Sequence, residues 1–351
     1  MKSPLLLAAH RYIGLVAGLF FVVTSLTGVL LIYKQPLLLA YYPVLAAEQE
    51  ADLPNGEAIT ALLARLAQER NPAVRRVRMP TDDWPFYSVS YRDGSSQTLS
   101  AYGEVLVRSE VQFDPMAFIF DLHAHWLAGH TGERISGYVH LAVLVLLVTG
   151  LYAWWPRRWR KALHLAVRGS AVKVLYSWHR TLGAVSALVL IVGVATGVMM
   201  VFYTEVRSVL VAGLGGEVPS IERTVKGEGP WRSWPELYAS IANQLPEGQL
   251  RSVSFPLEEG QALSARKRMP GEWHQHGRSF IYINPYTGEA YATVDAGNAG
   301  LGPALMQKVY PLHSAAVGGP LYWGALTLAS CATLGLFISG VYIWWWRRRH
   351  R

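Results

Sequence analysis

The sequence predicts an α-helical membrane protein: four transmembrane helices with two small α+β domains held outside the bilayer. Three observations carry this prediction. The 351-residue chain is 51% hydrophobic and only 16% charged, a balance unusual for a soluble domain. Four segments, 12–33, 135–155, 181–204 and 320–346, contain no Asp, Glu, Lys or Arg, and each can span a hydrocarbon layer that takes about 20 apolar residues. Thirteen Trp residues suit the aromatic belts of membrane interfaces.

Taken in order, the chain divides into span one (1–33), a first outside segment (34–134), span two (135–155), a basic loop (156–174), span three (175–204), a second outside segment (205–319), span four (320–346) and a short tail (347–351). The loop after span two, "PRRWRKALHLAVRGSAVK", carries six basic residues and no acid, and the C-terminal "RRRHR" adds four Arg. The positive-inside rule then places both termini and this loop in the cytoplasm, and both long segments in the periplasm or on the cell exterior. A cleaved signal peptide is the competing reading of span one, with "VLAA" near residue 45 as a loose cleavage site. The apolar run is longer than a signal core, however, and its loss would unbalance the remaining spans. The net charge of +8 lies mostly beside the spans, which speaks for topology and against a nucleic-acid partner. The lone Cys331 excludes intrachain disulfides, Cys-ligated iron–sulfur clusters and c-type haem attachment.

The outside segments have soluble patterning. The first runs from helical "EAITALLARLAQER" to strand-like "RRVRMP", "FYSVSYR" and "SAYGEVLVR"; the second repeats that order in "SWPELYASIANQLP", "RSVSFP", "ALSARKRM" and "SFIYINPYTGEAYAT". Each reads as one helix on a small antiparallel sheet. The spans repeat too. "HRYIGLVAGLFFVVTSLTGVLLIY" from His10 aligns with "HRTLGAVSALVLIVGVATGVMMVFY" from His179, and "VTGLYAWWPRR" aligns with "ISGVYIWWWRRR". His123 and His313 stand 27 residues before Gly150 and Gly340 in the two copies. A tandem duplication of span, outside domain and span accounts for all of this.

Four histidines thereby form two equivalent pairs. His10 and His179 stand at the cytoplasmic ends of spans one and three, and His123 and His313 at the outer ends of spans two and four. Histidine at a membrane segment is costly and marks function, whereas the alternative for any single one is an interfacial hydrogen bond. Two imidazoles from facing helices are the axial ligands of low-spin b-type haem, so two haems are expected. Gly14 and Gly183 lie four residues after their histidines on the same helix face, leaving room for a porphyrin edge. Gly28 and Gly197, in the Thr-Gly pairs, return to that face and serve either haem or close helix packing. Arg11 and Arg180 are propionate partners or interface anchors. Zinc is the competing metal for His123, His125 and His130, but it leaves the other pair unexplained. His140, whose repeat partner is Ser330, is a third candidate for the outer haem. His274 and His276, in "EWHQHGR", have no counterpart in the first segment and read as surface residues, with contact to substrate as the alternative.

These residues, "HRYIG…LTG", "LHAHWLAGHTG…VTGLYAWW" and the twin helix-plus-sheet insertions, resemble the PepSY-associated transmembrane family across essentially the whole chain. The resemblance implies two periplasmic PepSY-like domains and b-type haem carrying electrons outward, with His10, His179, His123 and His313 at the haem positions. It implies a ferric siderophore or other ferric chelate as substrate, and hence a haem-dependent oxidoreductase of the ferric-siderophore reductase type. Some relatives carry flavin domains at the cytoplasmic end, but no G-x-G-x-x-G follows a cytoplasmic strand here. The expected donor is therefore a separate soluble reductase or a membrane quinol. Two further readings are a periplasmic binding or regulatory module without redox activity, and a transporter of haem or of the chelate.

Overall fold

The computed structural model describes residues 3–50, 52–69, 73–110, 114–156, 162–258 and 260–350. In chain order the first half holds α1 (Pro4–Ile32), α2 (Lys34–Tyr41), α3 (Pro43–Ala47), α4 (Gly56–Ala67), β1 (Val74–Arg78), β2 (Tyr87–Tyr91), β3 (Ser96–Leu99), β4 (Val105–Ser109), α5 (Pro115–His125) and α6 (Gly129–Trp154). The second half holds α7 (Ala171–Val201), α8 (Tyr203–Leu214), α9 (Trp234–Asn243), β5 (Gln249–Ser254), β6 (Leu263–Arg268), β7 (Ser279–Ile283), β8 (Ala290–Val294), α10 (Leu301–His313) and α11 (Gly319–Arg349). Two compact units result: residues 1–33, 116–206 and 309–351 form one, and residues 34–115 and 207–308 the other.

The first unit is a helical bundle. Helices α1, α6, α7 and α11 are long and apolar enough to cross a membrane. With 29, 26, 31 and 31 residues they are about 39–47 Å long at 1.5 Å per residue, more than the hydrocarbon requires. Each therefore begins before its uncharged stretch: α1 starts at Pro4, fixed by a proline in its first turn. Helix α1 packs against α6 and α11, and α7 packs against the same two, which closes a ring. The core between them contains Ala17, Phe21, Val143, Leu190, Val194 and Val198. Outward-facing Val16, Leu188, Leu321 and Leu328 stay exposed, as expected of helices that are apolar all round. Close approach relies on small residues: a Cβ on Gly18 would lie 2.8 Å from the Phe337 ring.

The short helices α5 and α10 carry His123 and His313, which the sequence pattern places at the outer ends of spans two and four. They are separated from α6 and α11 by left-handed backbone at Trp126 (φ 49°) and Leu127 (φ 59°) in one case and at Ala315 (φ 53°) in the other. Such conformations are strained for residues other than glycine and persist where surrounding packing imposes them.

The second unit is a single eight-stranded sheet of order β4-β3-β2-β1-β5-β6-β7-β8, antiparallel throughout. The two predicted small domains thus share one sheet. Strand β1 pairs with β5, Val77 opposite Val253, Arg76 opposite Ser254 and Arg78 opposite Ser252. In the alignment of "RRVRMP" with "RSVSFP" the central residues of the two copies meet, so the join is an approximate two-fold. Both α4 and α9 cover one face. Ile59, Leu62, Leu63 and Leu66 of α4 repeat at helical spacing, and with Trp234, Leu237 and Ile241 of α9 they form one core with Val77, Val253, Ala265 and Ile281. The side chain of Asn55 accepts from the Ala58 amide at the start of α4. At the end of α9, buried Lys267 donates to the carbonyls of Ala242 (3.3 Å), Gln244 (2.6 Å) and Leu245 (3.1 Å), the first of them in the last turn, whose carbonyls lack intrahelical partners.

Candidate cofactor site

The four paired histidines come together two by two in the bundle. The rings of His10 and His179 are 6.3 Å apart, centroid to centroid, at an interplanar angle of 85°. Those of His123 and His313 are 6.0 Å apart at 53°. All four keep part of their surface accessible.

One device seats every ring. His123 Nδ1 donates to the Thr24 carbonyl (2.9 Å) and His313 Nδ1 to the Gly193 carbonyl (3.0 Å). His10 Nδ1 donates to the Leu146 carbonyl (3.0 Å), and His179 bonds the Leu336 carbonyl and the Ser339 hydroxyl (2.9 Å). Each of these carbonyls lies four residues before a glycine: Gly28, Gly197, Gly150 and Gly340. Immediately before that glycine stands Thr27, Thr196, Thr149 or Ser339, whose hydroxyl bonds back to the same carbonyl. Thr27 and Thr196 also reach their histidine Nδ1 at 3.2 Å. A Cβ on the glycine would meet the imidazole Cε1 at 3.0 Å from Gly28, 2.9 Å from Gly150, 3.1 Å from Gly197 and 3.3 Å from Gly340. Thus "LTG", "VTG", "ATG" and "ISG", one per span, are histidine seats.

The chemistry of the seat follows from the acceptor. A carbonyl only accepts, so Nδ1 carries the proton and the lone pair lies on Nε2, which has no hydrogen-bond partner among the described residues. Metal-bound histidines are held in this way, with the second nitrogen donating to a carbonyl or carboxylate. The spacing fits as well. Two metal–imidazole bonds of about 2 Å and two ring radii of about 1.1 Å, from ring bonds near 1.33 Å, sum to about 6.2 Å. The centroid spacing of each pair is thus compatible with one metal ion between two neutral imidazoles.

The other predicted residues fall around these pairs. A Cβ on Gly14 or Gly183 would sit at ordinary contact, 3.4 Å from Leu146 and 3.7 Å from Leu336. Arg180 reaches the Ala162 carbonyl at 3.5 Å, whereas Arg11 makes no hydrogen bond or ion pair with the described residues. His140 donates from Nδ1 to the Ser136 carbonyl (2.7 Å). Its buried Nε2 has no partner, and its ring lies 6.1 Å from that of Trp126. Trp126 Nε1 in turn donates to the Thr24 hydroxyl. The trio His123, His125 and His130 does not converge: His125 is bound to Asp121 (2.7 Å) and His130 to Glu133 (3.0 Å). No cluster of three or more His, Cys, Asp or Glu able to hold a metal ion occurs among the described residues. Arg348 and Arg349 lie over Trp344 and Trp345, the usual arrangement of an interfacial belt.

In the sheet unit His274 is buried, contrary to the surface position its sequence context suggests. Burial, with the fields of Arg278 and Arg266 next, holds His274 down at about 3. Burial together with Arg78, Arg266, Arg251 and Lys34 holds His276 at about 4. Both values lie below the unfolded 6.5, so the stability they confer is complete above pH 6.5 and falls as pH drops toward 4. We expect the thermal midpoint of the sheet unit to fall between pH 6.5 and 4, and His274→Gln to flatten that slope. A melting series on both proteins checks this, and an unchanged slope in the variant counts against it.

A four-helix membrane bundle with two seated histidine pairs, joined to a soluble unit built on an antiparallel sheet, defines a multi-pass membrane protein of PepSY-associated type. The chain belongs to the family described as the PepSY-associated TM region, whose model matches residues 7–348. No curated protein matches it significantly.

Proposed function

We propose that the protein is a di-haem b oxidoreductase that conducts electrons across the bacterial cytoplasmic membrane and reduces a periplasmic ferric chelate of the siderophore kind. The supporting observation is the fourfold seat: four imidazoles, each with Nδ1 tied to a helix carbonyl and Nε2 free, stand in two facing pairs. His10 and His179 hold one haem, and His123 and His313 the other. Haem b in these positions supplies one-electron exchange between ferric and ferrous iron.

The remaining work is done by the chain. The seats fix the tautomer and ring direction and raise the basicity of Nε2. Arg11 and Arg180 bring positive charge beside His10 and His179, where propionate carboxylates need it. Thr24, the seat of His123, stands 14 positions beyond His10 on α1, about 21 Å along the helix axis. The two pairs thus divide a hydrocarbon core of about 30 Å into shorter transfers. One electron converts one chelated ferric ion to ferrous iron, which siderophores hold far less tightly. Tandem duplication explains the paired ligands. The Lys/Arg bias puts both termini in the cytoplasm and the sheet unit in the periplasm, with a separate reductase or a quinol as donor.

An absorption spectrum of protein purified from haem-supplied cells tests the proposal. Sharp b-type bands in the reduced-minus-oxidised difference are expected, and so is reoxidation of dithionite-reduced protein by ferric siderophores. His10→Ala and His123→Ala should each remove about half of the haem. A colourless protein would leave the binding or regulatory reading in its place.

A further inference from the structure

The sheet face turned away from α4 and α9 is unusual in composition. Along the central strands Val77, Val253 and Ala265 point into the core, so their alternating neighbours Arg76, Arg78, Ser252, Ser254 and Arg266 share the opposite face. Register brings Arg78, Ser252 and Arg266 into one row across β1, β5 and β6, beside a row of Arg76, Ser254 and Ser264. The β6–β7 hairpin carries Arg278 to the same face, its Nε buried and without a partner.

Among the described residues no ion pair within 4.0 Å joins these guanidiniums to a carboxylate. Arg76 Nε donates to the Ser254 hydroxyl (3.0 Å), and Arg266 Nε donates to the Gly277 carbonyl (2.8 Å). Arg78 is exposed and donates to no described residue. The ion pairs among the described residues all lie elsewhere. Glu272, whose field acts on Arg266 against burial and the neighbouring arginines, also accepts from the amides of Met269 and Arg278. Burial and the fields of Arg278, Arg76 and Arg78 pull Arg266 down to about 10. Like charges gathered in a half-buried place repel one another, and an anion presented with several oxygens relieves that repulsion. Guanidinium forks and serine hydroxyls together suit carboxylate or catecholate oxygens.

We propose that this arginine- and serine-lined face is a binding site for a small polyanion. Resting on the reductase reading above, the substrate is then a ferric chelate of net negative charge, of carboxylate or catecholate type.

Gallium(III) chelates test the site independently of electron transfer, because gallium is not reduced. With full-length protein in detergent, calorimetric titration should show binding of gallium citrate and of a gallium tricatecholate. Binding of a neutral gallium trihydroxamate should be at least about tenfold weaker, the size of one charge-assisted hydrogen bond. The double variant Arg76→Gln/Arg78→Gln should lose about tenfold in affinity for the anionic complexes, and Arg78→Lys alone should keep most of it. Equal affinity across chelate charges, an unaffected double variant, or inorganic phosphate binding as tightly as the chelates would each overturn the proposal. A haem spectrum without this discrimination sinks the site and leaves the conduit; discrimination without haem does the reverse.

Discussion

On the di-haem reading, Gly150→Ala is expected to yield a protein with about half the haem, the His10–His179 site being lost, and Gly28→Ala should do the same to the His123–His313 site. The argument is steric. An alanine Cβ at 150 would lie 2.9 Å from His10 Cε1, and one at 28 would lie 3.0 Å from His123 Cε1, closer than side chains normally approach. The ring has nowhere to retreat. Its Nδ1 is bonded to a carbonyl on the glycine's own helix, and its other side faces the partner imidazole 6.0–6.3 Å away. Relief comes only by breaking the seat, which frees the tautomer and ring angle that ligation needs. Gly340→Ala, with its contact at 3.3 Å, should be milder. Haem-to-protein ratios and reduced difference spectra measure this order, with helicity and gel filtration showing that each variant is folded. Full haem retention in both Gly150→Ala and Gly28→Ala would refute the seat.

What the sequence disclosed of this site, and what it hid, follows from where the information is held. An uncharged stretch of about 20 residues has few alternatives to a bilayer, so the four spans are legible, although their starts are not: Pro4 and the backbone after Ala128 end the helices, not hydropathy. The histidine pairs are legible because the repeat matches His10 with His179 and His123 with His313. Their seats are not, since the acceptors are carbonyls of Thr24, Leu146, Gly193 and Leu336, and a carbonyl leaves no mark in residue type. The only visible trace is the small pair Thr-Gly or Ser-Gly in every span, which helix packing explains equally well. Helix α5 was hidden for a related reason. The break after His125 uses positive φ at Trp126 and Leu127, where neither residue type signals a turn.

The joined sheet supplies the second large effect: Val253→Pro should unfold both halves of the soluble unit together. A strand such as "RRVRMP" or "RSVSFP" reads the same whether it edges a small sheet or sits at the centre of a large one, so sequence suggests two independent domains. Their independence would confine the damage of a β5 substitution to residues 207–308. In the observed sheet Val253 is fully buried, pairs with Val77 on one side and with Ala265 on the other, and shares one core with Leu63 of α4 and Leu237 of α9. Proline there removes a ladder donor and forces a φ the strand does not have, which central strands do not tolerate. Loss of the buried side-chain packing adds to the damage, and a domain's total stability is only about 5–15 kcal/mol. Because β1 then loses one of its two partner strands and α4 loses the α9 side of its core, amides of Val77 and Val89 should lose protection alongside those of Ile281. Hydrogen exchange read by mass spectrometry distinguishes the cases: exchange confined to β5–β8 would mean two domains, whereas concerted exchange in β1–β3 and β5–β7 identifies one cooperative unit.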